Sequence, residues 1–403
     1  MLNNLRKQNK ISFLKTLLKS YTNNNLLNPL KISIENNNDK KKQFNFIQKQ
    51  LFSGAKAKHS LNPNFSHKNT EDVIPKESYI VNLKGKNKLD YIKEKQIKLA
   101  DDYVCIEMKA AGMGPYDFYF INGHKPLKPN MIHVPGCEGS GIVRKVGSKV
   151  CSSYLGKNVA FMVDYNDPNA RGSWSEFAYV PESLVMEIDQ KKPEFEKAAY
   201  CIANPLTALG INLDLLKGRK CIIQDTGNGA MPSMVTKFCV KNGIEIINIC
   251  IKEEYKKIMI NNGSKHNFAT DTNTMDELKQ LINEFKPSLY LSYTGGIFPS
   301  KVFDILLPGT EMCVLGNMSG TNLEGFKTND LVFEKKWIRG WSIFHFAERY
   351  GMRKLLDQLK QSYESGDNTY NTILGKEFKF KDINEAIKYY SLPTREGKPV
   401  LKP

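Results

Sequence analysis

The chain has 403 residues, of which 41% are hydrophobic and 10% aromatic, and its formal net charge is +16. Since a domain holds about 100–200 residues, this length predicts two or three domains, and the apolar content excludes a wholly disordered chain. No apolar run approaches the ~18–20 residues of a membrane-spanning helix, so we expect a soluble globular protein without a membrane span.

Most of the positive charge lies near the N-terminus. Residues 1–100 hold 20 Lys and Arg against 7 Asp and Glu, whereas the rest of the chain holds 38 against 35. A nucleic-acid-binding domain would spread its charge over a folded face, so this distribution argues against a nucleic-acid partner.

Residues 1–75 are predicted to form a basic, disordered tail. The first 34 residues contain six basic and no acidic side chains. Four apolar residues recur there at helical spacing, with lysines between them: Ile11, Leu14, Leu17 and Leu18. A short basic amphipathic helix in an acid-free stretch is typical of a mitochondrial presequence and predicts a location in the matrix. The alternative is a Lys/Asn-rich tail with no targeting role.

The pattern of predicted secondary structure changes twice after the tail. Short β-rich runs fill residues 79–185, which predicts a small β-domain. From about Pro205 strands and helices alternate, beginning with CIIQDTG, PSMVTKFCVKNG and IEIINICI. Because these strands are largely apolar, the alternation predicts a doubly wound parallel sheet. After about Phe346 we expect one helix over ERYGMRKLLDQLKQSYESG, then a strand, a helix and a closing strand.

The stretch from Cys221 to Ser233, CIIQDTGNGAMPS, predicts a dinucleotide site. Gly227 and Gly229 lie between a buried strand and a helix, where backbone N–H groups attract a pyrophosphate. Pro232 stands where the common pattern has Gly or Ala, and proline removes one N–H donor and adds bulk. At the tip of the second strand, Lys252 favours NADPH by binding the 2′-phosphate, unless it is only a solvated surface lysine.

Eight cysteines are scattered through apolar stretches without any CxxC pair. This distribution predicts reduced, buried thiols rather than a disulfide framework.

Eight motifs occur in one order along the chain. They are AAGMGPYD (110–117), FING (120–123), VPGCEGSG (134–141), GSWSEFA (172–178), ANPLTA (203–208), TGG (294–296), WIRGW (337–341) and GKPVL (397–401). Over about residues 79–403 the chain resembles the medium-chain dehydrogenase/reductase superfamily. It is most similar to the mitochondrial 2-enoyl thioester (enoyl-CoA/enoyl-ACP) reductases and to the zinc-free quinone reductases.

The resemblance implies an α/β architecture of two domains. A GroES-like, β-rich catalytic domain would comprise residues 76–204 plus 346–403, and a Rossmann domain residues 205–345. The cofactor cleft would lie between the two.

The zinc enzymes of the superfamily differ from this chain at their ligand positions. Their first ligand is a Cys that would fall near Met113, and their second is the His of a Gly-His-Glu triplet, where this chain has Cys137 followed by Glu138. One Cys and one Glu cannot supply the three or four ligands of a zinc site. We therefore expect no metal, and a packed thiol at Cys137.

The resemblance also implies site residues. In the zinc-free reductases hydride passes from NADPH to the β-carbon, and a tyrosine helps to protonate the α-carbon. Lys125 occupies that tyrosine's position, and Tyr116 is the other candidate, unless it only packs against the β-domain. The Asn that commonly precedes Pro in the family's first motif is Gly114 here. Cofactor contacts are implied for Asn204, Thr207, Asn228, Asn317 and Trp341.

Two functions of different class follow. The first is a metal-free NADPH-dependent oxidoreductase that reduces 2-enoyl thioesters in mitochondrial fatty-acid synthesis, with acyl carrier protein as a partner and a homodimer compatible with the resemblance; quinone reduction is a variant of it. The second is a degenerate reductase kept as a binding or structural subunit of a mitochondrial assembly. Three departures motivate the second function: Lys125, Pro232, and Ile251 where a phosphate-binding Arg would be expected.

Overall fold

A computed structural model describes residues 74–124, 126–127, 132–392 and 395–403. The predicted presequence and Lys125 lie outside the described residues, so the expectations for them stay predictions. No helix in the part of the chain that the structure describes has the length and hydropathy of a membrane span.

The described part begins with a hairpin of two antiparallel strands, β1 (Glu77–Gly85) and β2 (Lys88–Lys95). The turn between them includes Asn87 at φ 57°, a left-handed conformation that Asn adopts more readily than most residues. Val81 donates its N–H to the carbonyl of Trp174, which fastens the hairpin to the β-rich region.

A seven-stranded sheet forms the β-rich region. Its strands run in the order β14-β15-β3-β4-β5-β7, and β6 also pairs with β3. They are β3 (Tyr103–Ala111), β4 (Glu138–Val146), β5 (Asn158–Met162), β6 (Phe177–Pro181), β7 (Val185–Glu187), β14 (Leu374–Lys379) and β15 (Lys398–Lys402). The last strand pairs antiparallel with β3 at Leu401 and Ala111, so the C-terminal strands belong to the same sheet as strands near the start of the described chain.

The second large sheet has six parallel strands in the order β10-β9-β8-β11-β12-β13. They are β8 (Cys221–Gln224), β9 (Glu245–Cys250), β10 (His266–Ala269), β11 (Leu289–Ser292), β12 (Glu311–Val314) and β13 (Trp337–Gly340). This is the doubly wound order, whose strand sequence reverses between the first and fourth strands, β8 and β11. The predicted combination of a GroES-like β-region and a Rossmann sheet is confirmed.

Eleven α-helices lie in the described residues. They are α1 (Pro115–Ile121), α2 (Phe195–Ala198), α3 (Ala203–Asp214), α4 (Ala230–Lys241), α5 (Lys256–Asn261), α6 (Met275–Phe285), α7 (Phe298–Ile305), α8 (Thr328–Val332), α9 (Ile343–Tyr350), α10 (Met352–Glu364) and α11 (Ile383–Ser391).

Helices cover both faces of the parallel sheet. Because successive residues of a strand point to opposite faces, neighbouring residues pack against different helices. Ile222 packs with side chains of α3 and α4, whereas Ile223 packs with side chains of α6 and α7. This arrangement explains the near-continuous apolar strands in the sequence.

The structure corrects one predicted element and adds others. The single helix expected over ERYGMRKLLDQLKQSYESG is two helices, α9 and α10, because Gly351 adopts φ 98° between them and interrupts the helical path. The short strands β10 and β13 had no assignment from sequence. The division of the chain into residues 76–204 plus 346–403 and 205–345 stays a prediction.

Candidate functional site

The candidate cofactor site lies at the carboxyl ends of β8 and β11, where the strand order reverses. In open parallel sheets, ligands bind in the crevice at this position, because the loops that leave the two strands separate there. The loop after β8 contains Gly227, Asn228 and Gly229, and the loop after β11 contains Gly295 and Gly296 in left-handed conformations.

Gly227 has no room for a side chain. Its N–H donates to the carbonyl of Ile249 at 2.8 Å, which holds the turn against β9. A Cβ built on Gly227 would lie 2.7 Å from Asn248 Oδ1 and 2.7 Å from Met259 Sδ. The turn therefore requires glycine at this position for packing within the protein itself.

Gly229 immediately precedes α4 and has an extended backbone, with φ −70° and ψ 160°. A Cβ there would lie 3.1 Å from the carbonyl oxygen of Thr226 and 3.3 Å from Pro232 Cδ. The position therefore tolerates a small side chain with slight adjustment. The half-buried Asn228 lies between the two glycines.

Pro232 is the third residue of α4 and is buried. The first helical turn has no intrahelical partners for its N–H groups, so proline costs no helix hydrogen bond here. Because proline has no N–H, the first three residues of α4 provide only two N–H donors, those of Ala230 and Met231. The proline carbonyl accepts hydrogen bonds from Gln224 Nε2 at 3.0 Å and from Thr236 Oγ1 at 3.1 Å.

A buried polar network supports the turn from below, and sequence reasoning missed it. Gln224 Nε2 also donates to Asn248 Oδ1 at 2.7 Å, and Asn248 Nδ2 donates to Ser264 Oγ at 2.9 Å. The signal available in the sequence was an amide side chain in each of two largely apolar strands, Gln224 in β8 and Asn248 in β9. Because buried polar groups need partners, such residues indicate contact between neighbouring strands.

Asp225 is a second residue that the sequence did not single out. It follows β8 and is buried; its carboxylate accepts hydrogen bonds from Tyr290 Oη at 2.7 Å, Ser292 Oγ at 2.9 Å and the N–H of Tyr293 at 2.8 Å. Burial raises the pKa of Asp225, against the lowering effect of these donors. A titratable carboxyl group thus lies directly before the glycine turn and fixes the start of the loop after β11.

The remaining predicted cofactor residues are distributed around the same edge. Lys252 follows β9 and is exposed, with Nζ 3.7 Å from Glu254 Oε1. Asn317 follows β12 and is also exposed. Its Oδ1 would lie 2.2 Å from a Cβ built on Gly295, so the loops after β11 and β12 touch at this residue.

Asn204 and Thr207 lie in the first turn and a half of α3 and are half-buried. Thr207 Oγ1 donates to the carbonyl of Ala203 at 2.7 Å, so its hydroxyl is already bonded within the helix. Trp341 follows β13 and packs beside α3, where its Nε1 donates to Asp214 Oδ2 at 2.8 Å. The polar atom of Trp341 therefore has a structural partner.

Of the two predicted catalytic candidates, only Tyr116 is described. Tyr116 Oη donates to Asp164 Oδ1 at 3.2 Å, and its ring centroid lies 4.9 Å from that of Tyr165. Burial, and then the charge of Asp164, raise the pKa of the Tyr116 hydroxyl, which keeps its proton at neutral pH. Tyr116 is therefore a packed residue whose hydroxyl stays protonated and is a weaker acid than that of an ordinary tyrosine.

Metal ligation finds no support at the expected positions. In the part of the chain that the structure describes, no group of three or more His, Cys, Asp and Glu side chains is arranged to hold a metal ion. Cys137 is buried, and its thiol lies 3.8 Å from Asp117 Oδ2.

Comparisons with known proteins identify a matching domain family and relatives of this chain. Residues 100–190 match the alcohol dehydrogenase GroES-like domain family. The mitochondrial enoyl-[acyl-carrier-protein] reductase of Arabidopsis thaliana is 27% identical over 293 residues, which cover 69% of this chain and 75% of that protein. The quinone oxidoreductase of Homo sapiens is 20% identical over 289 residues, covering 71% and 84%.

A solved structure has the same fold. The quinone oxidoreductase of Escherichia coli in complex with NADPH superposes with a TM-score of 0.68 at 18% identity, covering 81% of this chain and 99% of that chain.

Proposed function

Because the chain belongs to the medium-chain dehydrogenase/reductase superfamily, we propose that it is an NADPH-dependent oxidoreductase whose substrates are 2-enoyl thioesters. The observation that carries the proposal is the turn from Gly227 to Gly229 at the point where the sheet order reverses. The turn leads directly into α4, whose first N–H groups have no acceptor within the helix and are suited to a pyrophosphate.

The cofactor fits the residues present. Gly227 lets the turn pack closely against Asn248 and Met259, and the N–H groups of Ala230 and Met231 at the start of α4 are donors for a pyrophosphate. Lys252 would hold the 2′-phosphate of NADPH, because its ammonium is exposed at the tip of β9. When bound, NADPH supplies the hydride for the reduction.

The chain's own groups would position the substrate and supply the proton. Asn204 and Thr207 would line the nicotinamide side of the cleft from the start of α3. Tyr116, which retains its proton, and Lys125 are the candidates to protonate the α-carbon after hydride addition. Tyr116 would have to release its hydrogen bond to Asp164 to do so.

Two arguments favour enoyl thioesters and a mitochondrial matrix location. The Arabidopsis relative is named as a mitochondrial enoyl-[acyl-carrier-protein] reductase, which also makes acyl carrier protein the proposed partner. The basic, acid-free N-terminal stretch is independent of that relative and predicts the same compartment.

A second candidate function is a non-catalytic subunit of a mitochondrial assembly. Asp225 and Pro232 favour it, because a buried carboxyl group and a missing N–H donor both weaken a phosphate site. In this candidate function NADPH binds weakly or not at all.

The test is a titration of the purified full chain with NADPH, followed by oxidation of NADPH in the presence of 2-butenoyl-CoA. A dissociation constant below about 100 µM supports the oxidoreductase, whereas no binding at millimolar NADPH supports the non-catalytic subunit. The Gly229→Val variant should lose binding. Gly85→Val, in the β1–β2 hairpin, is the matched control, because a Cβ at Gly85 would meet only Lys88 Cδ at 4.0 Å.

A further inference from the structure

Four buried ionisable side chains come from α1, from the start of β4 and from β15. Asp117 belongs to α1, Cys137 and Glu138 lie at the start of β4, and Lys398 begins β15. Two carboxyl groups, one thiol and one ammonium are therefore buried together.

The two carboxylates are held by donors from the backbone. Asp117 accepts hydrogen bonds from the N–H groups of Gly114 and Cys137, each at 2.7 Å. Glu138 Oε2 accepts a hydrogen bond from the N–H of Ala203 at 3.0 Å. These contacts fix the positions of both carboxyl groups relative to Lys398.

The ammonium of Lys398 has no such partner. Its Nζ is buried and makes no hydrogen bond to any described residue. It lies 5.0 Å from the centroid of the Tyr200 ring, a cation–π distance. Asp117 and Glu138 attract its charge without bonding to it. A buried ammonium retains three donors that need acceptors, so this atom is prepared for a ligand oxygen.

Gly114 leaves space for that oxygen. A Cβ built on Gly114 would lie 3.9 Å from Lys398 Nζ and 3.9 Å from Asp117 Oδ2, which is ordinary contact. The backbone of Gly114 is extended, with φ −148° and ψ 175°, and would accept any residue. The glycine is therefore not required by the backbone, and its missing Cβ leaves room for about one atom at contact distance from the ammonium. Because Nζ itself is buried, a ligand oxygen reaches it only when the neighbouring side chains move.

The position of this space relates it to the candidate site. Gly114 comes two residues before Tyr116, and Glu138 is bonded to the residue before Asn204. Gly114 thus precedes the helix that carries the proton donor candidate, and Glu138 contacts the start of the helix that carries the nicotinamide-side candidates.

We propose that Lys398 is a catalytic residue whose ammonium binds the substrate's carbonyl oxygen in the space beside Gly114. The inference rests on the proposed reductase function. The substrate feature is a carbonyl group conjugated to the carbon–carbon double bond that accepts hydride, and both 2-enoyl thioesters and quinones have it.

The ammonium of Lys398 would act during hydride addition, when negative charge develops on the carbonyl oxygen of the substrate. Hydride addition to the β-carbon breaks the carbon–carbon π bond, forms a new double bond to the carbonyl carbon, and leaves negative charge on the oxygen. Lys398 stabilises this oxyanion by a charge-assisted hydrogen bond and keeps its own proton. A separate donor then protonates the α-carbon, and the carbonyl group forms again.

The first test is steady-state kinetics of the full chain with NADPH and either 2-butenoyl-CoA or 1,4-benzoquinone. Lys398→Met should lower kcat by about 10²–10³, the usual effect of removing one oxyanion donor, with unchanged NADPH affinity. Lys402→Met, on the same strand with its side chain paired to Glu196, is the matched control and should leave kcat unchanged. Weaker NADPH binding with unchanged kcat in Lys398→Met would overturn the proposal.

The second test fills the space without removing the lysine. Gly114→Asn should lower kcat/KM at least tenfold with an unchanged melting temperature, because the amide oxygen would bond to the ammonium and exclude the substrate. This variant and Lys398→Arg decide the question if Lys398→Met does not fold. Unchanged kcat/KM in Gly114→Asn would overturn the proposal.

The pH dependence of kcat/KM distinguishes a catalytic role of Lys398 from a purely structural one. Burial lowers the pKa of Lys398 from its ordinary value of 10.5. As the pH is raised, the kcat/KM of the wild type should therefore fall when the ammonium loses its proton, at a pH lower than 10.5. Lys398→Arg should move this fall to higher pH. The charged and titratable groups that face Lys398 are Asp117, Cys137, Glu138, Tyr200 and Arg395. Identical profiles for the wild type and Lys398→Arg would overturn the proposal.

A spectroscopic readout does not depend on turnover. The carbonyl stretch of 2-butenoyl-CoA bound in the presence of NADP⁺ should shift to lower frequency in the wild type and not in Lys398→Met. An active wild type with the same carbonyl frequency in both proteins overturns this inference alone. A wild type that reduces neither probe overturns the proposed function, and this inference with it.

Discussion

The carboxylate of Glu138 accepts a hydrogen bond from the backbone N–H of Ala203, with 3.0 Å between Oε2 and the amide nitrogen. Glu138 is the first residue of β4 in the seven-stranded sheet, and Ala203 is the first residue of α3. Since α3 packs on one face of the six-stranded sheet, this buried bond connects the two large sheets beside the residues expected to contact the nicotinamide.

The burial of Glu138 should make the stability of the protein depend on pH, against the opposing effects of Lys398 and of the Ala203 N–H. Burial raises the pKa of Glu138 to about 7, so the folded state binds a proton that the unfolded state has released. The free energy of unfolding should therefore fall as pH rises from about 4.5 to about 7, by about 3 kcal/mol. Glu138→Gln keeps an oxygen acceptor for Ala203 and removes the titration. Urea unfolding at pH 5 and pH 7.5 should show that the stability of the variant relative to the wild type increases by about that amount. A constant difference between the two proteins would contradict the prediction.

The two glycines of the turn should differ in what they do. Gly227→Ala forces a Cβ to within 2.7 Å of Asn248 Oδ1, and we expect it to destabilise the fold by about 1–3 kcal/mol, as overpacking does. Gly229→Ala should cost less, since its nearest contact is 3.1 Å and its backbone suits any residue. Denaturant unfolding of the two variants measures this difference. If both variants lower the free energy of unfolding equally, the close contacts of Gly227 do not determine which residues the turn accepts.

The sequence predicted the parts of the molecule that depend on local pattern. Apolar strands followed by glycine turns identified β8 and β9, and Gly227 and Gly229 were found because a turn and a helix start leave a local signature. The partners of Gln224, Asp225 and Lys398 were not predictable in this way. Each of these side chains bonds or packs with residues distant in the chain, such as Tyr290 or Tyr200, and a single sequence does not specify such contacts.

The charge of Asp225 should oppose the binding of NADPH. The raised pKa of Asp225 means that its proton binds at higher pH than that of an ordinary aspartate. Lowering the pH should therefore neutralise the group and tighten NADPH binding, whereas raising the pH should weaken it. Asp225→Asn removes the charge and should bind NADPH more tightly at neutral pH, with less dependence on pH. Fluorescence titrations of both proteins with NADPH, at a series of decreasing pH values, measure these effects. If the NADPH affinity depends on pH equally in the wild type and in Asp225→Asn, the prediction is refuted.

The N-terminal segment should direct import. A fusion of residues 1–40 to a fluorescent reporter should enter mitochondria, because its basic residues are interleaved with Ile11, Leu14, Leu17 and Leu18 at helical spacing and no acidic residue interrupts them before Glu35. Replacing Lys10, Lys15 and Lys19 by Glu should leave the reporter in the cytosol. A cytosolic location of the unchanged fusion would exclude the presequence.

Pro232 should limit the affinity of the turn for a phosphate. It occupies the third position of α4, where another residue would present an N–H toward the crevice. Pro232→Gly should restore that donor and tighten NADPH binding about tenfold, since a charge-assisted hydrogen bond contributes about 1.5–3 kcal/mol at most. The carbonyl that accepts from Gln224 and Thr236 belongs to the backbone and remains in the variant. The fold should nevertheless lose about 1 kcal/mol, because glycine is a poor helix residue.

Pro232→Ala separates the two effects, because alanine restores the same N–H and favours the helix. Both variants should therefore tighten NADPH binding, while only the glycine variant is less stable than the alanine variant. Gly229→Val provides the opposite change, since its branched side chain would extend into the space needed by the pyrophosphate. If NADPH affinity is the same in the wild type, Pro232→Gly and Gly229→Val, the turn does not bind the cofactor. In that case the non-catalytic subunit is the better account of why the chain keeps this fold.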